Sequence, residues 1–169
     1  EQLNGKELSY NNIQDANAAL NIVREFDEPF AVGLKHMNPC GAGLGADVVE
    51  AWKKVYEGDK TSIFGGIVAF NREVNLEVAQ LLKPIFLEIV MAPSFAPDAL
   101  ELLRAKKNLR VLKVNMEGSV KEQMQCVSVN GGLLVQNQDL TIVPVTASQT
   151  VTEAVPTEGQ IVDLNFTWR

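Results

Sequence analysis

Phe30 to Gly45 reads FAVGLKHMNPCGAGLG. Its opening apolar run, Phe30-Ala31-Val32-Gly33-Leu34, has the length and composition of a buried strand. The run gives way at Lys35 and His36, the latter the sole histidine of the chain. Pro39 disfavours helical backbone at Asn38, and Gly41, Gly43 and Gly45 make the following residues read as a turning loop. Asp47 then opens a helical pattern. The order is strand, ionisable pair, glycine loop, helix. It sets Lys35 and His36 at the carboxyl end of a strand, where open α/β sheets bind ligands. On a continuing strand the two side chains would point to opposite faces. A strand ending near Leu34 lets them swing to one side and meet a single substrate. A strand-end histidine is as readily a satisfied polar residue as a catalytic one, so both readings stand on chemistry alone.

Outward from this stretch, strands and helices alternate. Before it, residues 1–13 read as polar and turn-like. The helical spacing of Ala16, Ala19, Leu20 and Val23 predicts a helix over 14–26, with Asn12 as its cap. After it, Asp47 to Tyr56 is a helix closed by Gly58, and Gly65 to Phe70 a buried strand. Asn75 caps a helix over 76–82 that Pro84 limits. Leu87 to Ala92 is a third strand, Asp98 to Lys106 a helix led by Pro97, and Leu109 to Val114 a fourth strand. This rhythm predicts an α/β fold with a mainly parallel or mixed sheet and helices on its faces. Beyond a break at Met116–Gly118 the pattern changes. Asn130-Gly131-Gly132 between two β-prone runs reads as a hairpin or a strand with a glycine bulge. Leu140 to Thr157 reads as an extended connector, and Gln160 to Trp168 as the start of a helix.

Composition sets limits. The 169 residues, 46% hydrophobic, suffice for one α/β core, or one domain plus a trailing arm. A net charge of −6 argues against a nucleic-acid-binding surface. Lys53-Lys54 and Lys106-Lys107 read as ordinary solvated helix faces. No apolar stretch is long enough for a membrane span, and no signal peptide is visible. Two cysteines, Cys40 and Cys126, do not make a disulfide framework, which points to a reducing cytoplasm. Cys40 reads as a small buried or loop residue and Cys126 as core. A chain that starts at Glu1 and stops after the apolar Phe166–Trp168 segment reads as a piece of a longer protein.

Three groups of residues carry chemistry. His36 can take or give a proton, and Lys35 can stabilise an oxyanion during acyl transfer. In Ser62-Ile63-Phe64-Gly65-Gly66, paired glycines at the start of a strand mark either close backbone approach to a ligand or tight packing. Glu88, inside an apolar strand, either points to solvent or binds a group such as a ribose hydroxyl. The Gly41–Gly45 loop is neither a dinucleotide fingerprint nor a P-loop. A zinc deaminase needs H-x-E and P-C-x-x-C. Here Asn38 stands where the glutamate would be and Gly43 where the second cysteine would be, so a catalytic zinc is not expected.

Lys35-His36-Met37-Asn38-Pro39-Cys40-Gly41 resembles the K-H-x-N-P-C-G signature of the AICAR transformylase/IMP cyclohydrolase family of bifunctional purine biosynthesis enzymes. Lys6 to Asn12 (KELSYNN), Ser62 to Asn71 (SIFGGIVAFN), Met91-Ala92-Pro93 and Gly131 to Gln136 (GGLLVQ) fit the same family, so the similarity covers essentially the whole chain. The resemblance implies a cytidine-deaminase-like layered mixed sheet with helices on both faces and no zinc site. It implies that residues 1–169 are the N-terminal part of the transformylase domain, with a core over about 14–114 and an arm and connector over about 115–169. The implied reaction moves a formyl group from 10-formyltetrahydrofolate to the amine of AICAR ribonucleotide, on the way to IMP. Matched position by position, His36 is the proton acceptor and Lys35 the transition-state lysine. Phe64 and Gly65 contact the nucleotide, Glu88 holds its ribose, and Thr61, Ser62 and Ile63 lie toward the folate. The family's Arg-Tyr pair and its S-N-A segment fall outside residues 1–169, so this chain alone is expected to be inactive. Its full-length form is expected to be a cytoplasmic homodimer. The alternative is a non-catalytic nucleotide-binding or dimerisation unit of the same family.

Overall fold

The glycine run after His36 is a strand, not a loop. In the computed structural model, β2 (Phe30–Lys35) turns through His36 and Met37 straight into β3 (Asn38–Leu44), and the two pair antiparallel from Lys35↔Asn38 to Phe30↔Leu44. The glycines serve proximity. A Cβ on Gly43 would lie 2.6 Å from the carbonyl oxygen of Ala51, and one on Gly45 2.5 Å from the Ala51 nitrogen. Ala51 belongs to α2 (Val48–Gly58), so side-chain-free positions on β3 let the helix backbone settle onto the strand. The turning residues are His36 and Met37 themselves, with φ of 55° and 62°. Two consecutive left-handed residues are what the tightest hairpin turn demands.

The structure describes residues 1–117, 124–146 and 149–169. Gly118, the end of the expected break, and residues 147–148 of the expected connector lie outside these. The remaining elements, in chain order, are β1 (Gln2–Asn4), α1 (Tyr10–Val23), β4 (Gly66–Phe70), α3 (Leu76–Leu82), β5 (Leu87–Ala92), α4 (Pro97–Arg104), β6 (Arg110–Lys113), β7 (Met124–Val129), β8 (Gly132–Asn137) and α5 (Glu158–Trp168). They form two compact units, Glu1–Gly118 and Ser119–Arg169.

The first unit holds a six-stranded mixed sheet in the order β1-β6-β5-β4-β2-β3. β4, β5 and β6 are parallel, while β2 runs antiparallel to β4 and β1 antiparallel to β6. Ala31, Val68, Phe70, Val90, Ala92 and Val111 share a core with Trp52 and Val55 of α2, Val78 and Leu82 of α3, and Ala99 and Leu103 of α4. The alternate strand residues Val32, Leu34, Ile67, Ala69, Ile89 and Met91 are also buried, on the face that α1 covers. Burial on both faces explains why these strands read as unbroken apolar runs.

Residues 1–13 are not simply turn-like. β1 closes one edge of the sheet, and α1 starts earlier than its apolar spacing suggests. Ser9 caps it, accepting from the Asn12 N–H at 3.2 Å, while Asn12 Oδ1 accepts from the Ser9 N–H at 3.1 Å. Asn12 is thus the third helical residue of a capping box and not the cap. Asn71 ties the loop before β2: its amide donates to the carbonyls of Phe26 and Glu28 at 2.7 and 2.8 Å, and its oxygen accepts from the Phe30 N–H at 2.8 Å.

In the second unit, Asn130-Gly131 forms the hairpin turn between β7 and β8, with Gly131 at φ 79°, which settles hairpin over bulge. Cys126 lies on β7 and is exposed, contrary to its expected place in a core. Thr157 caps α5 through a capping box with Gln160. No helix among the described residues is long and apolar enough to cross a membrane.

Candidate active site

Because β2 opposes β4, its carboxyl end lies beside the amino ends of β4, β5 and β6. One end of the sheet therefore gathers Lys35 and His36, the loop over 61–65, Glu88 and Arg110. Of these groups, only Lys35 and His36 lie at the carboxyl end of their strand; Glu88 and Arg110 lie near the amino ends of theirs.

At the β2–β3 turn, non-glycine residues in the left-handed region cost roughly 1–2 kcal/mol each relative to ordinary backbone. Two side chains hold the turn in that state. Asp15 Oδ1, from α1, accepts from the Met37 N–H at 2.8 Å, and Asn38 Nδ2 donates to the His36 carbonyl at 2.8 Å. His36 is exposed. Lys35 is half-buried and bends to the neighbouring loop, where its Nζ donates to the Phe64 carbonyl at 3.0 Å.

That loop is built on Asp59. One of its carboxylate oxygens accepts from the N–H groups of Thr61 and Ser62 at 3.0 and 2.8 Å. Hydrogen bonds from the Ser62 hydroxyl and backbone hold the Asp59 carboxyl below its ordinary range. Thr61 is exposed and Ser62 half-buried, but Ile63 is only 1% exposed. Its side chain fills the space left by Gly33. Of the three residues expected to face the folate, Ile63 therefore has no side chain free to do so. Phe64 is exposed and stands 5.3 Å, ring to ring, from Phe86. Gly65, at φ 72°, donates its N–H to the Phe86 carbonyl at 2.8 Å. Phe86 thus links the loop to the next strand.

Glu88 neither simply points to solvent nor stands alone. Its Oε2 meets the Arg110 guanidinium at 2.7 Å, and the Arg110 Nε donates to the Glu7 carbonyl at 2.9 Å. The pair lies in a cavity of about 460 Å³ whose lining includes Lys6, Phe86, Lys106 and Lys107. Lys106 is half-buried, with its Nζ donating to the Ile85 carbonyl at 2.5 Å, and burial pushes its ammonium below the ordinary lysine range. It is not an ordinary solvated helix residue. No local sequence pattern marks this basic cluster or Asp15. The one available signal was Arg110, a second charge in an apolar strand, at the start of the strand paired with that of Glu88.

Cys40, half-buried on β3, donates its thiol to the Gly33 carbonyl at 3.4 Å; burial first of all pushes its thiol up, so it is a poor nucleophile. Among the described residues, no three His, Cys, Asp or Glu side chains are placed to hold a metal ion.

Comparison with known proteins adds the following. Residues 1–169 match the family described as AICARFT/IMPCHase bienzyme. The chain is 57% identical to the bifunctional purine biosynthesis protein PurH of Anoxybacillus flavithermus, over all of this chain and 33% of that protein. It is 54% identical to PurH of Bacillus mycoides and 53% to that of Bacillus cereus, with the same coverage. The chain thus spans about a third of the length of these relatives. Among solved structures it is similar to Acinetobacter baumannii RibD (TM-score 0.48, 13% identity, 59% of this chain and 35% of that one). It is also similar to the apo dCMP deaminase of cyanophage S-TIM5 (TM-score 0.46, 8% identity, 62% of this chain and 100% of that one).

Proposed function

Since the chain belongs to the AICARFT/IMPCHase bienzyme family, we propose that it supplies part of a formyl-transfer site in purine biosynthesis. The formyl donor is 10-formyltetrahydrofolate and the acceptor the amine of AICAR ribonucleotide. The observation that carries this reading is the His36–Met37 turn. Two left-handed residues are pinned by Asp15 and present the sole histidine to solvent, beside a lysine already bonded to the Ser62–Gly66 loop. Backbone held in a sparsely populated region by its surroundings is characteristic of functional sites.

The chemistry follows from the acceptor. Its amine is conjugated to the ring and is a poor nucleophile, so it must lose a proton as its nitrogen bonds to the formyl carbon. His36 takes that proton. Lys35 stabilises the oxygen anion that develops on the formyl group. The bond from the formyl carbon to the folate nitrogen then breaks, and that nitrogen leaves carrying a proton. Phe64 and Gly65 contact the nucleotide, Glu88 holds its ribose, and Thr61 and Ser62 line the folate side. The rest of the site, including the Arg-Tyr pair and the S-N-A segment, comes from sequence that this chain does not contain, and the complete site forms between two subunits.

The test is a chimera in which residues 1–169 replace the matching third of the Anoxybacillus flavithermus protein. The chimera is expected to transfer formyl groups and the isolated chain is not. In the chimera, His36→Ala should lower kcat by at least about a hundredfold, the usual contribution of a positioned acid–base. Unchanged turnover would remove His36 from the mechanism, and turnover by the isolated chain would overturn the incomplete-site reading. A second reading, a non-catalytic unit used for association, draws on the exposed Met124, Leu133 and Leu134 of the β7–β8 hairpin. It requires that His36→Ala change neither assembly nor transfer.

A further inference from the structure

Asn-Gly occurs twice, at Asn4-Gly5 and Asn130-Gly131, and the fold treats the two differently. Asparagine is among the thermally labile residues. Its side-chain carbonyl carbon is open to attack by the main-chain nitrogen of the next residue, and glycine, having no Cβ, shields that nitrogen least. Asn38 is exempt, because the nitrogen of Pro39 carries no hydrogen to lose.

At Asn4 the reaction is blocked. Its amide donates to the carbonyls of Lys106 and Leu109 at 3.1 and 2.8 Å, which fixes the side chain. Gly5, at φ 101°, lies so close to the Leu109 carbonyl that a Cβ on it would stand 2.3 Å from the oxygen. The main chain there has no room to rotate toward the Asn4 side chain. Nothing comparable restrains Asn130. It is exposed at the tip of the β7–β8 hairpin, and its side chain has no hydrogen-bond partner among the described residues. A Cβ on Gly131 would meet nothing within 4 Å.

We propose that Asn130 is a site of spontaneous deamidation and that its isoaspartate product unpairs the β7–β8 hairpin. The Gly131 nitrogen loses its proton to hydroxide and bonds to Asn130 Cγ, expelling the side-chain nitrogen as ammonia and closing a cyclic imide. Water then opens the ring. Cleavage at Cγ leaves aspartate. Cleavage at the main-chain carbonyl leaves isoaspartate, with the chain rerouted through Cβ and Cγ. An extra carbon thereby enters the turn that sets the register Val129↔Gly132 and Val127↔Leu134. A two-stranded hairpin is marginal by itself. Both strands are exposed along their whole length, so neither has a buried residue to hold it once the turn is lost.

The chain is held in mildly alkaline buffer, either folded or in urea. Each Asn-Gly peptide is then followed by mass spectrometry after digestion, with aspartyl and isoaspartyl forms separated by chromatography. In the folded chain Asn130 should convert about thirtyfold faster than Asn4, the scale of two net hydrogen bonds. In urea the two rates should converge. Equal rates in the folded chain, or an Asn130 that outlasts Asn4, overturn the site. Rates that stay as far apart in urea would assign the contrast to flanking residues and overturn the structural argument. Asn130→Ser should remove most of the ammonia that the folded chain releases, and undiminished release also overturns the site. Nuclear Overhauser contacts between Val127 and Leu134 report the hairpin. They should be present in the fresh chain and in Asn130→Asp, which carries the charge without the added carbon, and lost from the isoaspartate form. Their absence from the fresh chain, their persistence in the isoaspartate form, or their loss in Asn130→Asp overturns the unpairing.

Discussion

Replacing Gly41 by alanine tests whether the glycines of β3 exist so that α2 can approach. A Cβ there would sit 2.3 Å from the Val55 carbonyl oxygen, 3.1 Å from its carbon and 3.3 Å from its Cα. Every one of these is backbone, so no rotamer can yield. To regain ordinary contact the helix must withdraw from the strand by about 1 Å, a gap that forfeits a quarter to a half of the dispersion energy of each contact it opens. The contacts at stake are those of Val48, Val49, Ala51, Trp52 and Val55, the buried face of α2. Overpacking against rigid backbone costs about 3 kcal/mol, the upper part of the usual range. At a urea slope of about 1–3 kcal/mol/M, the midpoint should fall by roughly 1–3 M. Gly58→Ala is the control. Its Cβ would lie 3.6 Å from the Gly41 Cα and 3.9 Å from the Cys40 oxygen, ordinary contact, at the last residue of the helix. There alanine should gain about 0.5 kcal/mol through lower unfolded-state entropy. Tryptophan fluorescence reads the transition, because Trp52 is 2% exposed and Trp168 is already 63% exposed. The two substitutions should move the midpoint in opposite directions. A Gly41→Ala protein as stable as its parent, or equal damage from both, would refute the proximity argument.

Two further predictions concern the groups that hold the candidate site. Asp15→Ala removes the acceptor of the Met37 N–H, and in the chimera it should lower kcat by about tenfold or more, as expected for a lost charge-assisted hydrogen bond. Asp15→Asn keeps an oxygen and should restore most of the rate; an Asp15→Ala rate equal to the parent's would show that the turn holds its shape unaided. Asp59 titrates below its ordinary value of 3.8 in the folded chain, first through the Ser62 hydroxyl. Its contribution to stability is therefore present above that value and is lost as pH falls through the lower, folded one. The Thr61 and Ser62 amide shifts, followed by NMR against pH, should titrate with a midpoint below 3.8, and Asp59→Asn should flatten that titration; a midpoint at or above 3.8 would contradict the hydrogen-bonded loop.

Where a residue's local role is also its tertiary role, the sequence was legible. Asp47 and Asn75 cap their helices, Gly58 ends one, and Leu87 to Ala92 is the strand that its apolar run describes. The misreadings come from residues whose role is set by a distant neighbour. Gly41, Gly43 and Gly45 look like turn residues, yet only the helix laid over them explains their missing side chains. The true turn falls on His36 and Met37, where neither Gly nor Asn stands to mark a tight hairpin turn. Gln2–Asn4 is too short to read as a strand and exists because β6 offers it an edge. Glu88 left two readings open because its partner, Arg110, lies 22 residues further on. In the candidate site, Lys35 and His36 were visible as a motif, whereas Asp15 and Lys106 owe their places to α1 and to the end of α4.

The antiparallel step between β2 and β4 has an electrostatic consequence. In a wholly parallel α/β sheet, the ligand-binding end is also where helices begin, and their amino termini favour anions. Here the candidate site lies at the other end for three strands. The loops over 59–65, 83–86 and 105–109 enter β4, β5 and β6 from the carboxyl termini of α2, α3 and α4. Helix carboxyl termini carry partial negative charge, so an anionic substrate would be repelled unless cations intervene. Two lysines stand in these loops' path. Lys35 Nζ binds the Phe64 carbonyl beyond α2, and Lys106 Nζ binds the Ile85 carbonyl beyond α3. Each sets a positive charge beside a carbonyl of the loop that follows a helix, and each has ammonium protons left to donate. The same arrangement makes these lysines poor candidates for exchange by arginine. A compact ammonium can face a carbonyl and a phosphate together, whereas a planar guanidinium commits its donors to one fork.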